Sequence, residues 1–109
     1  IAGGAKSLAS PKNETDREFV LDQLRTSIRL HGTRRVILML HSDCGAYGGL
    51  DAFGGDVGRE RVHLRDELYL AADVVARAIP ELAVETYYVD FEGVWTLKDA
   101  AGQMIAVIA

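Results

Sequence analysis

The sequence predicts an α/β fold in which a parallel-core β-sheet is flanked by helices and followed by a C-terminal β-hairpin. Three observations predict it. The run Val36-Ile37-Leu38-Met39-Leu40 holds no polar residue and lies between Arg35 and His41, the pattern of a strand buried on both faces at the centre of a parallel sheet. Residues 83–91 (AVETYYVDF) are rich in β-formers and closely follow a helical pattern, so strand, helix and strand imply a right-handed crossover and a parallel pair. Residues 94–97 and 103–108, separated by Lys98-Asp99-Ala100-Ala101-Gly102, read as a terminal hairpin. With 109 residues, 49% of them hydrophobic and 26% charged, residues 1–109 suit a single globular domain with one core.

Taken in order, the opening IAGGAKSLASPKNE is rich in Gly, Ser and Pro and reads as a loop, with Gly3 and Gly4 permitting angles or close approaches closed to other residues. Thr15-Asp16-Arg17-Glu18 has the Thr-x-x-Glu form of a capping box. Phe19, Leu21, Leu24, Ile28 and Leu30 then recur at near-helical spacing up to His31-Gly32, which predicts a helix of about four turns ended by glycine. After the apolar strand, CGAYGGLDAFGGDVG carries six glycines in fifteen residues and reads as a long loop. Over residues 59–79, Leu68, Ala72, Val75 and Ile79 form one apolar stripe that Pro80 ends. On this helix Arg59, Glu60, Arg61, Arg65, Asp66 and Glu67 read as a salt-bridged surface. Tyr87, Tyr88, Phe91 and Trp95 read as core or dimer-contact aromatics.

Charge and composition narrow the partners. A formal charge of −4 and no basic run longer than Arg34-Arg35 leave no electrostatic footprint for nucleic acid or an anionic membrane, so a small molecule is the expected partner. The single cysteine cannot form an internal disulfide, which fits a cytoplasmic protein. No apolar stretch approaches the ~18 residues a membrane helix needs. The chain starts at Ile1 rather than at a methionine, and the expectation is that its natural start lies upstream.

The chemistry concentrates in His41-Ser42-Asp43-Cys44-Gly45-Ala46-Tyr47-Gly48-Gly49, which leaves the predicted central strand at its carboxyl end, where open α/β sheets bind ligands. His41 and Cys44 place an imidazole and a thiol three residues apart, both suited to zinc. Zinc sites hold three or four protein ligands, and the other histidines, His31 at a helix end and His63 in the second helix, do not visibly complete one. Their ordinary readings are a helix-terminus charge for His31 and a solvated or interfacial face for His63.

Other readings of Cys44 stay open: a small buried apolar side chain, a redox-sensing thiol or a nucleophile. The nucleophile lacks its usual partners. A Cys-x5-Arg phosphatase loop would need arginine where Leu50 stands, and a nucleophile elbow would need glycine where Ser42 stands. No Gly-Lys-Ser/Thr ending follows the glycines.

The order of an Ala2-Gly3-Gly4 loop, a capped helix, a buried apolar strand, His41-Ser42-Asp43-Cys44-Gly45-Ala46, a helix and a closing strand with hairpin resembles the β-class carbonic anhydrases over nearly the whole chain. The resemblance implies a catalytic Zn2+ held by two cysteines and a histidine, with His41 and Cys44 as two of the three ligands. It implies a carbonate-dehydratase-type lyase that hydrates CO2 to bicarbonate, a substrate pocket shaped by Gly3, Gly4, Asp43 and Gly45, and a homodimer or higher assembly. The family's Cys-x-Asp-x-Arg motif, which supplies the remaining cysteine and an aspartate–arginine dyad that orients the water, does not occur in these 109 residues, and no catalytic base can be placed on any residue present. The chain also has Leu40 where the family has glycine before the histidine, and the glycine-rich GGLDAFGG after the motif. These departures keep two alternatives: a catalytically inactive carbonic-anhydrase-like α/β binding module, or a zinc hydrolase of another small molecule, as the related carbon disulfide hydrolases illustrate.

Overall fold

Local sequence sets each element of the computed structural model, which describes residues 3–97 and 104–107. The opening segment is not entirely loop. A one-turn helix, α1 (Lys6–Ala9), follows the glycine pair and buries Leu8 and Ala9, because two apolar side chains on one turn give even a Ser- and Gly-rich stretch a face to hide.

Helix α2 spans Glu14–His31. Its N-cap is Asn13, whose side-chain oxygen accepts the Asp16 N–H at 3.0 Å, and Thr15 bonds to that same oxygen from inside the first turn. The Thr15–Glu18 capping box is therefore displaced by a stronger cap two residues upstream, asparagine ranking above threonine at this position. The helix ends as predicted at Gly32, which takes φ 64° and donates its N–H to the Ile28 carbonyl, a left-handed closure natural to glycine.

Strand β1 (Arg35–His41) pairs in parallel with β2 (Ala83–Asp90), with Leu38 beside Thr86 and Leu40 beside Tyr88. Helix α3 (Val57–Ala78) makes the crossover between them. Strand β3 (Gly93–Leu97) returns antiparallel to β2, and β4 (Met104–Ala106) lies antiparallel to β3, giving the order β1-β2-β3-β4. The predicted hairpin thus forms, while its turn at residues 98–102 lies outside the described residues.

Two expectations change. The parallel part of the sheet is a single pair, and β1 is an edge strand rather than a central one among the described residues. Nor is β1 buried on both faces. Leu38 and Leu40 enter the core, whereas Ile37 and Met39 are about half exposed. Strand side chains alternate between faces, and α3 packs against β1 on the face that Leu38 and Leu40 share. A continuous apolar run reports that a strand avoids polar side chains, not that both of its faces are covered.

The core gathers Leu8, Leu21, Leu38, Leu40, Leu64, Leu68, Val75 and Tyr88. Full burial of each large aliphatic side chain contributes about 1.5–3 kcal/mol. Helix α3 dominates it, turning Leu64, Leu68, Ala71 and Val75 inward. Among the described residues no helix is long and apolar enough to cross a membrane.

Candidate metal-binding site

The parallel pairing continues one residue past the strand, where the Ser42 N–H donates to the Val89 carbonyl at 2.9 Å. The chain then turns sharply at Asp43, whose φ of 54° makes it the single described non-glycine residue with positive φ, a region that aspartate tolerates better than most side chains. Two carboxylates hold this turn. Glu60 of α3 accepts the Asp43 N–H at 2.8 Å, and the Asp43 side chain accepts the Leu50 N–H at 2.7 Å. Beyond it, short 3-10 turns at Gly45–Tyr47 and Leu50–Phe53 break up what the sequence presented as one long loop.

The turn sets the two predicted ligands differently. His41 ends β1 with its ring exposed and Nδ1 2.8 Å from the Ser42 carbonyl oxygen. That carbonyl can only accept, so in the neutral imidazole Nδ1 carries the proton and Nε2 the lone pair. Metal-ligating histidines are oriented in this way, by a backbone carbonyl on the other ring nitrogen. Cys44, three residues on, is a free thiol with 3% of its surface exposed. Behind it the Tyr47 hydroxyl is buried beside the Glu67 carboxylate. Burial first, then the neighbouring Glu67 carboxylate, push its phenol well above the usual tyrosine range.

The opening loop meets the motif loop. A Cβ on Gly3 would come within 3.0 Å of the Ala46 Cβ, and the Lys6 ammonium lies 5.6 Å from the centre of the Tyr47 ring. Gly4 is the more constrained. Its φ is 54°, and a Cβ there would sit 2.2 Å from the Met39 carbonyl oxygen, so only glycine lets the chain pass this close to β1. Two of the four pocket residues implied by the resemblance line different hollows. Gly4 lines an apolar one with Leu8, Val20 and Leu24, and Asp43 lines another with Ser42 and Glu60. Gly3 packs on the motif loop, and Gly45 opens a 3-10 turn with free space where a Cβ would go.

His31 closes α2 on the surface. His63 is exposed on α3 as expected, and its ring also packs against Tyr47 and Phe53, with centroids 5.8 and 5.3 Å apart. Among the described residues no three His, Cys, Asp or Glu side chains are grouped so as to hold a metal. Among the described residues His41 and Cys44 therefore do not make a complete zinc site, and no catalytic step through a metal follows from these residues alone.

The carboxylates on α3 correct the sequence reading. Glu60 and Glu67 were expected on a salt-bridged surface, yet they are 1% and 4% exposed. Glu60 holds the Asp43 turn, and Glu67 accepts a hydrogen bond from the Ser10 hydroxyl at 2.9 Å, tying the end of α1 to α3. The spacing 60, 64, 67, 68, 71 and 75 places both on the same helical face as the buried leucines, and that spacing is the signal that would have found them. Comparison with known protein families, curated proteins and solved structures gives no match to this chain.

Proposed function

We propose that the chain supplies two ligands, His41 and Cys44, of a β-carbonic-anhydrase-like zinc site, and that with a third ligand the protein catalyses reversible hydration of CO2 to bicarbonate. The observation that carries this reading is the anchored imidazole. Its Nδ1 is 2.8 Å from the Ser42 carbonyl oxygen, which leaves Nε2 as the donor, and the only thiol of the chain follows three residues later on a turn fixed by Glu60. Bound zinc would supply a hydroxide at neutral pH by lowering the pKa of its water to about 7. The chain's own part is to hold the donors: Glu60 fixes the backbone between them, and Ser42 fixes the tautomer of His41. Homodimer formation and cytoplasmic residence belong to the same proposal.

Cobalt(II) titration tests the ligand assignment with the chain as it stands. The expected result is a thiolate-to-cobalt charge-transfer band that zinc displaces and that Cys44→Ser abolishes. His41→Ala should weaken binding by more than the roughly 10- to 100-fold typical for losing an outer hydrogen-bond partner of a ligand. No such band in the unaltered protein, or a band indifferent to Cys44→Ser, overturns the assignment and leaves the inactive binding module.

A further inference from the structure

The parallel pair uses only one side of β1. At its two ends the Ala83 N–H donates to the Arg34 carbonyl and the Ser42 N–H to the Val89 carbonyl. In a parallel ladder the bonds to one neighbour fall on every second residue, so residues 34, 36, 38, 40 and 42 serve β2. Residues 35, 37, 39 and 41 turn their N–H and C=O groups the other way. The Met39 carbonyl bears this out, since the Ala5 N–H reaches it from that side at 3.1 Å. Among the described residues that is the one backbone bond on this edge, and no strand pairs with it.

A groove of about 300 Å3 lies beside the open groups. Leu8 of α1 and Val20 and Leu24 of α2 line one wall, and residues 36–39 of β1 line the other. Val36 and Leu38 belong to one face of the strand, Ile37 and Met39 to the opposite face, so the groove follows the strand's edge rather than either face. Every side chain that lines it is apolar, and the polar groups it presents are those of the backbone.

These features select the occupant. A row of unpaired backbone N–H and C=O groups is a template for another extended backbone. A helix, whose backbone groups are bonded within itself, would leave the row unmet. Charge adds a further condition at the amino end of β1. Arg34 is exposed and has no ion pair among the described residues, whereas Arg35 is held by Glu85 at 3.2 Å. A carboxylate arriving beside Arg34 meets an uncommitted guanidinium.

We infer that this edge takes up a partner peptide as a further strand. The peptide is extended over about five residues, apolar at every second position, and acidic at the end beside Arg34. Backbone bonds to Arg35 and Ile37 supply affinity, and the alternate side chains that enter the groove between α2 and β1 supply selectivity, as in other cases of strand addition. Ala5 sets the limit at the far end, where it already holds the Met39 carbonyl. The inference is independent of the zinc reading, because it uses neither His41 nor Cys44.

Calorimetric titration in EDTA-containing buffer with the end-capped peptide Asp-Val-Thr-Val-Thr-Val-Asp provides the test. That sequence reads the same in both directions, so it suits either strand polarity. Saturable binding is expected, and the same peptide N-methylated at every inner residue, which keeps its side chains and charge but loses the backbone donors, should not bind. A version with lysine at both ends should bind about two- to threefold more weakly, an order that Arg34→Glu should reverse, as for other exposed charges. Ile37→Pro removes an outward N–H that β2 does not use, a change edge strands tolerate, and should weaken binding roughly three- to tenfold, the scale of one hydrogen bond. The inference is overturned if nothing saturates, if the N-methylated peptide binds as well, or if Ile37→Pro and Arg34→Glu both leave binding unchanged. Sedimentation of the chain alone examines the rival occupant: a dimer that Ile37→Pro dissociates and the peptide fails to compete away would give the edge to a second copy and overturn the inference too.

Discussion

The two long helices look alike in length and differ in what they hide. Helix α2 has 18 residues and fully buries only Leu21, leaving Phe19 and Leu30 at 60% and 62% exposure. Helix α3 has 22 residues and buries six, two of them glutamates. Both show an amphipathic pattern, so the pattern does not tell which helix organises the domain. Position does: α3 crosses between two parallel strands, and the residues that steady the motif loop and the end of α1 reach inward from it. A helix in that place contributes the core and the site scaffold together, whereas α2 could change much of its surface without disturbing either.

Substitutions can break or sharpen this contrast. Leu68→Ala empties a position with no exposed surface in the middle of α3 and should cost about 2–5 kcal/mol, read as a lower urea midpoint at unchanged slope. Asn13→Ala removes the side-chain acceptor for the Asp16 N–H at the start of α2 and should cost about 1 kcal/mol in the same measurement. Phe19→Ser, on the outer side of α2, should change stability by less than about 0.5 kcal/mol. A loss at Phe19 equal to that at Leu68 would show that the outer face of α2 is covered in solution, and the contrast between the helices would fail.

Much of the architecture was legible because it rests on patterns with a single physical meaning. A glycine after His31 and a proline after Ile79 end helices wherever the chain goes next. The apolar run at residues 36–40 had to be a strand, since it is too short for a buried helix. What was not legible depends on neighbours distant in sequence. Nothing in Ile37 or Met39 says that only the opposite face of their strand would be covered. Charge misled in α3, where Glu60 and Glu67 resemble their exposed neighbours Arg59 and Asp66 until their helical phase is matched to Leu64 and Leu68. Within the motif, the residue types at 41 and 44 suggested ligands, but the orientation of the imidazole depends on the Ser42 carbonyl, and the shape of the turn depends on a glutamate 17 residues away from Asp43. Spacing alone carries neither.

The close passage at Gly4 also affects how the molecule meets others of its kind. The Ala5 N–H donates to the Met39 carbonyl at 3.1 Å, so the edge of β1 that no described strand pairs with is stitched shut near its carboxyl end, next to the half-exposed Ile37 and Met39. An uncovered strand edge with apolar side chains is a template for aggregation. By occupying that carbonyl, the glycine loop shortens the stretch of β1 on which a foreign strand could register, and it does so beside the turn that carries His41 and Cys44.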